Sequence, residues 1–264
     1  MPPTSSSGIV SRRSLLPKSK PSFEKTPLSV KKVNLLPKTK HSVFLTSLGN
    51  FSWDCSNYNY DEGYCEGDYE NDWENATLNA YLNGEYLNGL SDASKIAKYN
   101  NNYSTWYLKA LDEETYFGDN AYTPQWYLGE RYTGYTGYKD GVQYGAKAEI
   151  KAAIGLMYPS DYGYAAYGTE CDNKSSMTLY NYEGGCAAVD WLAQDSLDSH
   201  EEWLISPYPD STGHAFYVDG LNGGYVTTGD PLSNGYAVRP VLYLEASVGY
   251  GGGSGTKLDP YKLS

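Results

Sequence analysis

Long apolar runs are missing from these 264 residues. No stretch approaches the ~20 residues of a membrane helix. "VFLTSLG" at Val43–Gly49 is too short even for the apolar core of a secretory leader, and none stands near Met1. The expectation is a soluble chain with no membrane span and no visible export signal. Histidine is scarce: His41, His200 and His214 are the full set, and no HExxH pattern joins them, which removes the common zinc-hydrolase arrangement. No GxSxG marks a nucleophile elbow. The glycine-rich "GYGGGSG" near the C-terminus misses the GxGxxG spacing of dinucleotide-binding loops. Nothing in these patterns names a catalytic residue.

Acids are nearly absent from one part of the chain and crowd the other. Residues 1–50 hold nine Lys or Arg against the single acid Glu24, a charge of +8; residues 51–264 hold eleven bases against 31 acids, a charge of −20. The first 50 residues also lack Tyr and Trp, repeat "SLLPKSKPS" (Ser14–Ser22) as "NLLPKTKHS" (Asn34–Ser42), and carry Pro17, Pro21, Pro27 and Pro37. So little apolar surface does not offset the entropy of ordering, and a basic disordered arm is expected over 1–50. Its charge fits an anionic partner or a solvated tail alike. The acidic remainder, 51–264, argues against duplex nucleic acid, whose phosphates need Lys and Arg.

Cysteine is limited to Cys55, Cys65, Cys171 and Cys186. Four cysteines allow three pairings; the simplest joins neighbours, Cys55–Cys65 and Cys171–Cys186. Their spacings, nine and fourteen intervening residues, are not the CxxC type that zinc favours. An even, loop-closing set points to an oxidising compartment, hence an extracellular or cell-surface location.

What the chain has in excess is tyrosine: 29 residues, all after residue 50. Many stand beside Gly, Asn, Asp or Ser, as in "RYTGYTGYKDGVQYG" and "PSDYGYAAYG". These read as loops. The mixture is that of antibody paratopes, where Tyr supplies contact area at small entropic cost; tyrosine packed on half-buried sheet faces is the alternative. The run Asp54 to Glu74 holds eight acids and no base. It reads as a solvated acidic face or as a loop collecting oxygens for Ca²⁺, without the EF-hand spacing.

Periodicity places a helix on "TLNAYLNGEYLNGL", with Thr77 as N-cap, Leu78, Tyr81, Leu82, Tyr86, Leu87 and Leu90 on one stripe and Asn88-Gly89 as its stop. Ser91 caps a short second helix through Ile96. Strands are expected at Ala152–Tyr158, Trp203–Ile205, Ala215–Val218, Gly224–Thr227 and Val238–Leu244, an α+β order. Around the last of these the apolar "GYAVRPVLYLE" (Gly235–Glu245) contains one charge before its final residue, Arg239. A buried guanidinium persists only when paired, best with a carboxylate.

Five blocks in order, "WENATLNAYLNGEYLNGLS" (Trp73–Ser91), "IGLMYPSDYGYA" (Ile154–Ala165), "WLISP" (Trp203–Pro207), "GYAVRPVLYL" (Gly235–Leu244) and "GSGTKLDPYKL" (Gly253–Leu263), resemble an uncharacterised domain of bacterial surface and prepilin-type proteins. That domain is similar to the C-type-lectin-like fold of formylglycine-generating (sulfatase-modifying) enzymes. The resemblance covers residues 73–264. It implies two short helices against twisted antiparallel strands, long Tyr/Gly-rich loops, and Arg239 as a core fixture on a Gly-aromatic-Arg strand. The copper-dependent oxidase chemistry of those enzymes uses a cysteine pair late in the domain, and this chain has no Cys after Cys186. The expectation is a non-catalytic binding module for a glycan or protein, without cofactor, whose contact surface comprises Tyr132, Tyr135, Tyr138, Tyr162, Tyr164, Tyr208 and Asp210. A pilin-like or cell-wall subunit is the alternative.

Overall fold

The computed structural model describes residues 30–35, 40–45, 47–59, 64–65, 67–110, 123–134, 148–165, 192, 201–220, 225–228, 231–253 and 262–264. Within them the fold is α+β, short helices against several sheets, and no helix is long and apolar enough to cross a membrane. One sheet runs in the order β1 (Val30–Leu35), β2 (Lys40–Leu45), β13 (Val241–Glu245), β8 (Ile154–Gly155). The other runs β11 (Tyr225–Thr227), β10 (Ala215–Asp219), β9 (Glu202–Pro207), β12 (Tyr236–Ala237), β3 (Asn50–Phe51). Three strand pairs stand apart: β4 (Tyr58–Asn59) with β5 (Tyr64–Cys65), β6 (Thr105–Tyr107) with β7 (Glu149–Lys151), and β14 (Tyr250–Gly252) with β15 (Lys262–Leu263).

The two sheets share one bent strand. Of the expected strand Val238–Leu244 only Val241–Leu244 is strand, in β13; β12 lies just before it, and the two are separated at 238–240, where Pro240 has no N–H to give to a ladder. Residues 40–45 and 48–51 run antiparallel to both pieces. Lys40 faces Glu245 and Phe44 faces Val241; Leu48 donates its N–H to the Val238 carbonyl and Val238 to that of Gly49; Asn50 faces Ala237 and Phe51 faces Tyr236. At the crossing Gly49 has φ +102°, a conformation that glycine reaches without strain.

This pairing corrects the expectation that all of residues 1–50 form a disordered arm. Residues 30–35 and 40–45 make an antiparallel hairpin, Val30 opposite Leu45 and Leu35 opposite His41. The reason is non-local: without β2 one edge of β13 would stand open, and backbone groups on an edge favour a partner strand whatever the mean composition of the segment that supplies it.

Arg239 occupies the bend. It is only 3% exposed, and its Nη2 donates to the Glu202 carboxylate at 3.0 Å and to the Leu192 carbonyl at 3.2 Å. Since Glu202 opens β9 and pairs with Ala237 across the parallel β12–β9 contact, this ion pair clamps the bend to the neighbouring strand.

Tryptophan fills the core: Trp53, Trp73, Trp106, Trp126 and Trp203 are each fully buried. Three spend their indole N–H on backbone, Trp53 on Leu204, Trp106 on Ala152 and Trp203 on Phe51. Gly155 is small for a reason, because a Cβ there would lie 2.5 Å from the Trp106 ring. The expected helix at Thr77 exists as α1 (Thr77–Tyr81), a π turn (Leu82–Tyr86) and α2 (Leu87–Gly89), ending at the Asn88-Gly89 stop. Its start differs from the expectation: Thr77 is the first helical residue, and its N–H is held by the Asp54 carboxylate at 2.9 Å. The second short element is a 3₁₀ turn, Ala93–Lys95. Inside the π turn, Asn83 accepts the Ile154 N–H and donates to the Ile154 carbonyl, so one side chain covers a free edge of β8.

The bridge Cys55–Cys65 is present and closes the loop that carries β4. By the loop-entropy argument it stabilises by about 3 kcal/mol. Cys171 and Cys186 lie outside the described residues.

Candidate functional site

Two helices that the sequence reading does not include, the second within a stretch read as a loop, build a distinctive surface among the described residues. Helix α3 (Thr123–Leu128) begins Thr-Pro, a start signal, and runs into a π turn (Gly129–Thr133) closed by the Gly134 N–H on the Gly129 carbonyl at 2.7 Å. Such turns are rare and recur at functional sites. Helix α4 (Pro159–Ala165) has Pro159 in its first turn and Asp161, whose carboxylate takes the Tyr158 N–H at 2.8 Å. The two helices pack against each other, with Trp126, Tyr162 and Ala165 buried. Gly129 and Gly163 hid both helices by lowering local propensity, which tertiary packing overrides.

Between the helices lies a buried polar network. Glu130 and Ser160 are fully enclosed. Ser160 gives Glu130 both its N–H, at 3.1 Å, and its hydroxyl, and Arg131 adds an N–H at 2.9 Å. Arg131 also donates to the Ser160 Oγ at 3.1 Å and stands 3.9 Å from the Asp161 carboxylate. Burial pushes the Glu130 carboxyl up to about 7, against the downward pull of Arg131 and Ser160. A serine beside a carboxylate resembles a nucleophile with its base, but here both are sealed from substrate, and the arrangement works as a lock between helices.

Above the lock is an aromatic face. The Arg131 guanidinium lies between the rings of Tyr127 and Tyr158, 4.1 Å from each centroid. Tyr164 meets Tyr127 edge-on at 6.2 Å, and Tyr132 packs on Tyr107 at 6.3 Å. Tyr107 in turn anchors to the lock, its N–H on the Tyr158 hydroxyl at 2.8 Å. Burial, then Tyr127, raises the Tyr164 hydroxyl; burial, then Glu149 and Tyr132, raises that of Tyr107. The outward groups are Tyr127, Leu128, Tyr132 and Tyr164, exposed by 38%, 52%, 60% and 48%. Exposed apolar groups gathered on one face are more informative than the same groups scattered singly.

Of the expected contact residues, Tyr132 and Tyr164 belong to this face. Tyr162 is a correction: it is fully buried, because on a helix it shares the inner side with Ala165 while Tyr164 turns outward. Tyr135 and Tyr138 lie outside the described residues. Tyr208 and Asp210 sit on another turn, half-buried, with the Tyr208 ring against His214 and Phe216. Asn71 pins that turn, its amide nitrogen 2.7–2.9 Å from the carbonyls of Tyr208, Ser211 and His214. Tyr127, Leu128 and Glu130 went unnoticed in sequence. The usable signal was Thr-Pro followed by Tyr127 and Arg131 four residues apart, one helical turn.

The acidic run supplies caps. Asp54 accepts the Glu70 and Thr77 N–H groups, and Asp72 accepts the Glu74 N–H and the Asn75 amide. Among the described residues no group of three or more His, Cys, Asp or Glu converges as a metal site. A separate open cleft of ≈ 350 Å³ is lined by Glu74, Asn79, Asn83, Glu149, Ile150, Lys151 and Ala152. Asn79 and Asn83 bond there to each other and to the backbone of Glu74 and Ile154, so its floor is framework. No family model matches the chain, and neither does any curated protein or solved structure.

Proposed function

We propose that this chain is a non-catalytic binding module, secreted or held at a cell surface, whose ligand contacts the Tyr127–Leu128–Tyr132–Tyr164 face. The observation that carries the reading is that face itself: four large side chains turned to solvent on helices locked together by Glu130, Arg131 and Ser160. Rigid, exposed tyrosines bind at low entropic cost, since little freedom remains to be lost. The Cys55–Cys65 bridge supports an oxidising location. The C-type-lectin-like arrangement, with Arg239 as strut and no cofactor in the binding role, belongs to the same reading.

The test is an array carrying glycans and peptides, probed with wild type and with a Tyr132→Ala/Tyr164→Ala double variant. Wild type retains a ligand and the double variant, equally stable, loses it. Retention of nothing by wild type, or equal retention by both, sinks the reading. A structural subunit that assembles through the same face would instead show mass rising with concentration in light scattering.

A further inference from the structure

Resting on that reading, we infer that the ligand is a basic polypeptide segment whose arginine or lysine side chains lie against the exposed tyrosine rings. Three observations converge on it. First, the face is shaped for side chains rather than for sugar rings. Tyr127 and Tyr164 cross at 75° and Tyr107 and Tyr132 at 40°, with Leu128 exposed next to Tyr127 in sequence, so among the described residues these ring pairs do not line up as one flat platform. Two of the described polar groups nearby are already engaged: Arg131 by Glu130 and Ser160, and the Lys109 ammonium, at the surface, by the Tyr132 carbonyl at 2.7 Å.

Second, charge selects the partner. Residues 51–264, with eleven bases and 31 acids, carry −20. A field of that sign draws basic chains in and repels acidic ones, including a second copy of the same body. Third, the molecule already makes the contact in question from its own side. Arg131 lies 4.1 Å from two tyrosine centroids, and the Lys98 ammonium stands 4.7 Å from that of Tyr103. Cations are drawn to ring faces by the quadrupole, and the aliphatic stem of Arg or Lys adds apolar contact to Leu128.

The experiment uses the full chain and fluorescence anisotropy with four labelled probes of equal length: an arginine-rich, an acidic and a neutral apolar peptide, and a neutral oligosaccharide. The arginine-rich peptide should bind saturably, more weakly as salt rises, and at least about tenfold less to Tyr132→Ala/Tyr164→Ala. Tyr132→Phe, which keeps the ring face, should bind as wild type does. Preference for the neutral peptide, the acidic peptide or the oligosaccharide, with the same dependence on Tyr132 and Tyr164, overturns the basic partner and leaves the binding face standing. Self-association that the double variant abolishes assigns the face to a second copy and overturns it too. Equal binding of the basic peptide by wild type and double variant reduces it to charge attraction alone. Silence of wild type toward all four probes removes both this inference and the binding reading.

Discussion

Arg239 and Glu202 are 37 positions apart in sequence and both buried, whereas Arg131 and Glu130 are neighbours, the carboxylate buried and the guanidinium partly so. Beside the first stands a backbone carbonyl, that of Leu192, which accepts from the same guanidinium. Around the second stand two tyrosine rings and a serine. The distant pair ties the bent C-terminal strand to β9, so its work is closing the fold. The local pair adds nothing to chain topology; it fixes the spacing of two short helices and the rings above them. The same two residue types therefore serve a framework in one place and a surface in the other. What distinguishes them is the sequence separation of the partners and the identity of the third contact.

The largest expected effect separates these roles at once. Arg239→Ala leaves the Glu202 carboxylate buried without its guanidinium and should cost about 3–5 kcal/mol in urea unfolding, while Arg239→Met with Glu202→Leu recovers most of it. If the single variant costs less than about 1 kcal/mol, the clamp is not a clamp. Next comes pH. Burial raises the Glu130 carboxyl from 4.5 to about 7, so the folded state holds its proton more tightly than the unfolded chain does. The resulting stability is fully present below about 4.5 and is lost as pH rises to about 7, roughly 3 kcal/mol in all. Glu130→Gln removes that dependence, which urea midpoints at pH 5 and 7.5 compare directly; parallel slopes for the two proteins would refute it.

Smaller effects sharpen the contrast. Tyr158→Phe keeps a ring beside Arg131 but removes the acceptor of the Tyr107 N–H, a loss of about 1 kcal/mol in denaturant titration. Leu128→Ala, on the exposed face, should change stability by no more than about 0.5 kcal/mol and show itself in ligand binding alone. A larger loss would mean that Leu128 is packing, not contact surface.

Legibility in the sequence follows the same division between near and far. Arg239 stood out because it is the lone charge in an apolar strand, and burial leaves such a group one option, a partner. The helix from Thr77 was visible in its stripe of Leu and Tyr and in the Asn88-Gly89 stop. The hairpin at Val30–Leu35 and Lys40–Leu45 was not, because its partner, Val241–Glu245, lies at the other end of the chain and composition averages over 50 residues. Tyr162 and Tyr164 were indistinguishable until Pro159 and Asp161 were seen to start a helix; one then faces the core and the other solvent. Glu130 was one acid among 31 in the body, and only its enclosure with Ser160 and Arg131 singles it out.

The pairing of residues 40–45 and 48–51 with residues 236–245 carries a kinetic consequence. During synthesis the early strand emerges about two hundred residues, some tens of seconds at ribosomal speed, before its mate exists. Pairings of such long range close late and make for slow folding. Until they close, the incoming edge lies open to pairing with any other extended chain.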